Sequence, residues 1–188
     1  MAINRCGIAM CFTDDVSTTG SATALYPLGT LRVEEQSSVI GCSTYRYVKF
    51  DNGAGNVAAA AGALCYRGIT SKSTFWDVTS DVSDVDSAFA AGCFQSVLTD
   101  VYYGWIKTKG YQSNLKKKTG SGLGWTKGDY VYAGGAATDD GFAYRIKLAA
   151  TTKVSGAELR AALERHVGYA AATVSSTTAT GAAYVECE

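Results

Sequence analysis

Alternation of apolar and polar positions is the strongest local signal in this chain. The run STYRYVKF at 43–50 sets Tyr45, Tyr47 and Lys49 against Arg46, Val48 and Phe50, which predicts a strand. Shorter strands are predicted at about 28–33, 64–67, 130–133, 142–148, 167–174 and 182–187. Asp51-Asn52-Gly53-Ala54-Gly55 and Asp139-Asp140-Gly141 read as turns. The stretch 91–110 reads as strand, turn, strand, with Thr99-Asp100 at the turn. Gly104 falls inside the second strand, where glycine marks a bulge or a close backbone approach. The acidic segment 77–86 and the Lys- and Gly-rich segment 111–128 read as loops.

One helix is predicted, over about 156–167. Ser155-Gly156-Ala157-Glu158 has the form of a capping box. Leu159, Ala162, Leu163, His166 and Val167 then share one face, and Gly168 supplies the stop. Residues 1–38 show little sustained periodicity and hold the only proline, Pro27. They read as an extended N-terminal arm ahead of a β-rich body at 39–188. Within the body, 91–110 and 167–187 resemble each other as hairpins, with glycines at 92 and 104 and again at 168 and 181. The expected fold is therefore mainly β: a β-barrel or β-sandwich body, an N-terminal arm and one short α-helix. Closed barrel and open sandwich both remain open.

Composition narrows the function classes. A chain of 188 residues suits one domain, which can bury roughly 70% of its unfolded surface. Lys plus Arg is 17 and Asp plus Glu is 17, so the chain lacks the cationic excess that nucleic-acid binding uses. No run is long and apolar enough to be read as a membrane span, and 1–12 does not read as a signal peptide. The six cysteines are irregularly spaced without a C-x-x-C pair, which argues against a zinc site. Cys42, Cys65 and Cys93 sit among apolar neighbours and read as buried thiols. Cys6 and Cys11 are the candidates for a disulfide.

Candidate chemistry is sparse. Gly120-Ser121-Gly122-Leu123-Gly124 lacks the Gly-Lys-Ser/Thr ending of a phosphate loop and leads into a strand, so a plain loop is favoured. Asp81, Asp84 and Asp86 lack the glycine and terminal glutamate of a calcium loop and read as solvated carboxylates. The single histidine, His166, lies on the apolar helix face and reads as structural. Residues 73–100 hold five acids and no Lys or Arg, whereas 101–128 hold six Lys and no acid. Two solvated faces explain this, and an electrostatically polar subunit is the alternative. Tyr102, Tyr103 and Trp105 alternate around Gly104, so Tyr103 and Trp105 share a face. They are core packing, an interface anchor or a sugar-stacking platform. No catalytic residue, cofactor or metal ligand is nominated.

Three pieces of the chain carry a family resemblance. They are Tyr26-Pro27-Leu28-Gly29-Thr30 followed by the aromatic strand at 45–50; the turn at 51–55 with Ala60-Ala61-Gly62-Ala63-Leu64; and 91–106 followed by Gly128-Asp129. In these the chain resembles the decoration (cement or head-stabilising) proteins of tailed bacteriophages. The resemblance covers about residues 25–133. It implies a non-enzymatic virion protein on the capsid exterior, synthesised in the host cytoplasm. Its partner would be the major capsid protein, and it would act as a homotrimer bridging capsomers, without nucleic acid, membrane or cofactor. Candidate capsid or subunit contacts are Arg5, Tyr26 and Arg32 in the arm and Tyr102, Tyr103 and Trp105 in the body. The alternative is a receptor- or glycan-binding head-fibre or tail module.

Overall fold

The computed structural model describes residues 15–37, 41–67, 69, 74–85, 89–134, 140–146 and 165–187. Among these residues ten strands run β1 Leu31–Ser37, β2 Gly41–Phe50, β3 Leu64–Arg67, β4 Asp77–Thr79, β5 Ala90–Phe94, β6 Tyr103–Lys116, β7 Tyr130–Ala133, β8 Ala143–Ile146, β9 His166–Ala170 and β10 Thr180–Glu186. A 3-10 turn, Val82–Asp84, follows β4. The protein is mainly β, with all ten strands in one sheet of order β1-β2-β4-β3-β5-β6-β10-β9-β7-β8.

The sheet closes on itself. β2 pairs with β6 as well as with β4, so β2, β4, β3, β5 and β6 form a hydrogen-bonded ring of five strands. The remaining strands continue from the far half of β6 through β10, β9, β7 and β8. A parallel bridge from Lys117 to Ala143 returns β8 to the end of β6. The long strand β6 thus serves both halves, and closure removes most free strand edges.

Two cores follow from this path. Val48, Phe50, Cys65, Val78, Ala91, Phe94 and Ile106 fill the first ring. Leu64, Tyr66, Ala90 and Cys93 point the other way from β3 and β5. They pack with Leu115, Val131, Ala133, Ala143, Val167, Ala183 and Val185. β3 and β5 form a wall between the two cores. This is why they read as short continuous apolar runs rather than as alternating strands. Each large side chain so buried contributes about 1.5–3 kcal/mol of transfer free energy.

The described part of the expected arm belongs to the body. Ser21 and Tyr103 exchange backbone hydrogen bonds of 2.9 and 2.8 Å. Gly29 N donates to Tyr47 O at 2.8 Å, and β1 pairs with β2 over its length. The physical reason is the outer face of β2 and β6: Tyr45, Tyr47 and Trp105 need cover, and Val16, Tyr26 and Leu28 provide it. Residues 1–14 lie outside the described set.

Other expectations are corrected. Most of the helix predicted at 156–167 lies outside the described residues, but its last two positions, His166 and Val167, are in β9. Their alternation with Gly168, Tyr169 and Ala170 serves a strand as well as a helix end. Segment 77–86 is not a plain loop: it contains β4, and Asp77 and Asp81 are buried. Segment 111–128 begins inside β6, which runs to Lys116 because β10 offers it a second edge to pair with. The two blocks of charge are not wholly solvated: Asp77, Asp81, Lys107 and Lys117 are buried, whereas Lys109 and Lys127 are exposed.

The two similar hairpins use their glycines alike. Gly92 and Gly168 adopt φ of 155° and 150°. A Cβ at Gly92 would sit 2.5 Å from the carbonyl oxygen of Lys107, and one at Gly168 would sit closer still to that of Tyr184. Both positions need glycine because two backbones meet there.

Candidate functional site: an aromatic row and a cationic ring mouth

Of the nominated residues, Tyr26, Arg32, Tyr103 and Trp105 gather on one side of the β2–β6 pair. Trp105 lies directly across from Tyr47, and Tyr26 packs on both rings at 5.5 and 5.2 Å. Tyr103 stacks on Tyr47 at 6.2 Å. The Arg32 guanidinium lies 5.5 Å from the Trp105 ring and pairs with Glu34. Tyr102 stands half-buried before β6, its carbonyl accepting from Phe50 N. Tyr103 and Trp105 do share a face, but Trp105 is only 2% exposed. This cluster therefore holds segment 15–30 onto the body, and Trp105 offers no surface for a sugar or partner. Arg5 lies outside the described residues.

The acids considered for metal binding have structural work. Asp81 accepts from Gly55 N at 2.7 Å and from Ser83 N at 2.9 Å. Asp84 accepts from Ala54 N. Together they tie the 51–56 turn to the 3-10 turn. Burial pushes the Asp81 carboxyl up, but hydrogen bonds from the Ser83 hydroxyl and from Gly55 N and Ser83 N outweigh it, so the net shift is downward. Asp86 lies outside the described residues. No group of three metal-ligating side chains occurs among the described residues. The glycines at 120–124 form a turn whose Leu123 N donates to Gly120 O, and Trp125 then bridges to Val174.

Cys65, Cys93 and Cys187 are buried free thiols, and Cys42 is exposed. Burial raises all three buried thiols, Cys93 to about 12. Lys107 is also buried. Burial lowers its pKa, and its ammonium finds Tyr111 O at 2.6 Å and the Tyr45 ring at 5.5 Å.

Two features were not singled out from the sequence. The first is a row of tyrosines across four adjacent strands: Tyr111 on β6, Tyr184 on β10, Tyr169 on β9 and Tyr130 on β7, each in register with the next. Tyr111 and Tyr184 lie 5.6 Å apart, and Tyr130 and Tyr169 lie 5.1 Å apart. His166 packs beside Tyr169 at 5.3 Å, and Tyr132 packs on Tyr144 at 5.7 Å. Tyr130 and Tyr184 are 43% and 46% exposed. Tyr130 and Tyr132 alternate with buried Val131 and Ala133, but only the strand register aligns Tyr130 with the others.

The second is a cavity of about 360 Å³ at one end of the first ring. Thr44 and Arg46 of β2, Arg67 of β3, Trp76 just before β4, Ala91 of β5, and Thr108 and Lys109 of β6 line it, with Cys187. The sequence signal was present: Thr44 and Arg46 fall on the same side of β2 as Val48 and Phe50.

The fold and these features define a closed, mainly β protein with an aromatic outer face. Comparison with family models, curated proteins and solved structures returns no match to the chain.

Proposed function

We propose that this chain is a non-enzymatic virion structural protein that binds the outside of a tailed-phage capsid and bridges capsomers, as a homotrimer. The tyrosine row carries the reading. Tyrosine is favoured at protein interfaces because it buries a large apolar body at small entropy cost and keeps a polar tip. Four of them in register on paired strands share one face of the sheet, and the paired backbone that carries them orders little further on docking. The resemblance in residues 25–133 supplies the shell as the partner. Many identical sites on a shell let each contact be weak. The contact surface of this reading is the row at Tyr130, Tyr169 and Tyr184, since Trp105 is enclosed.

The same row favours one second reading, a receptor- or glycan-binding module of the virion, because phenol rings also stack on sugar faces. Co-sedimentation with cognate capsids, expanded and unexpanded, separates the two. Saturable binding to expanded shells at a fixed ratio to the major capsid protein supports decoration. No binding to either form, with selective binding on a glycan array, supports the second reading.

A further inference from the structure

The open end of the first ring has the makings of a ligand site that decoration does not require. Every strand of the ring supplies a lining residue or, for β4, the residue just before it, so the cavity walls are held by paired backbone rather than by loops. Its volume of about 360 Å³ falls within the size of small-molecule sites. Its charge is one-sided. Arg46, Arg67 and Lys109 line it and no carboxylate among the described residues does. Lys109 lies opposite Glu186 across the β6–β10 pair. The arginines are different: no carboxylate among the described residues pairs with either.

Both arginines are half-buried and held in place. Arg46 donates from Nη1 to Gly29 O at 2.9 Å, and its guanidinium lies 5.3 Å from the Trp76 ring. The Arg67 guanidinium lies 4.9 Å from the Phe75 ring. Aromatic faces fix a guanidinium plane and leave its edge N–H donors open to oxygen acceptors, and Arg46 uses one of its five on Gly29 O. Two such edges, on the strands β2 and β3 that flank β4, match an oxyanion, which accepts several charge-assisted hydrogen bonds at once. The hydroxyls of Thr44 and Thr108 add polar groups, and Trp76 adds an apolar wall. Phe75, whose ring meets the Arg67 guanidinium, and Phe89, whose carbonyl accepts from Arg67 N, are 57% and 48% exposed and add apolar surface next to Arg67.

We propose that the mouth of the first ring binds a small organic oxyanion, its carboxylate or phosphate held between Arg46 and Arg67. The remainder of the ligand lies against Trp76.

The test is a titration of the full chain followed by amide NMR at Ala91 and Thr108. Inorganic phosphate, phenyl phosphate and benzoate are the probes, with sodium chloride holding ionic strength constant. Saturable shifts at both amides are expected, with the aromatic anions at least about tenfold tighter than inorganic phosphate. Comparing phenyl phosphate with benzoate tells phosphate from carboxylate. R67Q should weaken binding tenfold or more while leaving the thermal transition and the remaining amide spectrum in place. K127Q, far along the chain in an exposed turn, should bind as wild type does. Shifts that fail to saturate, or equal affinity in R67Q and wild type, would overturn the proposal.

Discussion

Tyr47 and Trp105 face each other across the β2–β6 pair with ring centroids 5.1 Å apart, close to edge on face. Both are buried, and Tyr26 and Leu28 close over them. The first prediction concerns this contact. Trp105→Ala should cost about 3–5 kcal/mol, from lost burial plus the cavity left behind. It should also loosen segment 15–30, since Tyr26 loses one of its two ring partners and keeps only Tyr47. Limited proteolysis checks this: cleavage within 15–30 should speed up at denaturant concentrations where the rest of the variant stays folded.

The glycines of the paired hairpins make a second prediction. Gly168→Ala forces a Cβ against the carbonyl of Tyr184 at a φ that alanine avoids. A loss of at least about 2 kcal/mol is expected. Gly122→Ala also has positive φ but meets open space, so it should cost only about 1 kcal/mol. Denaturant melts of the two variants give the comparison.

These elements show how far local sequence reaches. Strands β2, β3 and β7 were legible because each carries its signal within itself, by alternation or by a short apolar run between turns. The second half of β6 was not. Residues 112–116 are polar on both sides except Leu115, and they are a strand only because β10 pairs with them. The integration of residues 15–37 was hidden for the same reason, since the face they cover is made by β2 and β6. The Tyr102–Trp105 cluster drew attention because its aromatics are adjacent in sequence. The tyrosine row is scattered from 111 to 184, and only strand register brings it together.

Asp81 gives a prediction in pH. Its folded carboxyl titrates below its unfolded value, so its contribution is fully present above the unfolded pKa of about 3.9 and is lost as pH falls through the lower folded value. Asp81→Ala removes the acceptor for Gly55 and Ser83 and should cost about 1–3 kcal/mol at neutral pH. The gap between variant and wild type should narrow in acid. Urea melts at pH 7 and pH 3 measure it, and a gap unchanged by pH would contradict the assignment.

The thiols give a fourth. Cys65, Cys93 and Cys187 are enclosed and held protonated by burial, whereas Cys42 is exposed. A maleimide pulse at pH 8, mapped by mass spectrometry, should label Cys42 in seconds to minutes. It should reach the other three only in denaturant.

The central claim is that the tyrosine face docks on a capsid shell. The most direct measurement is the number of copies bound per expanded shell, for wild type and for the Tyr130→Ser/Tyr184→Ser double variant. Both side chains are exposed, so the variant keeps its core. The account predicts a fixed wild-type ratio to the major capsid protein and at least a tenfold loss of affinity in the folded variant. Equal binding by the two proteins, or no wild-type binding at all, would contradict it.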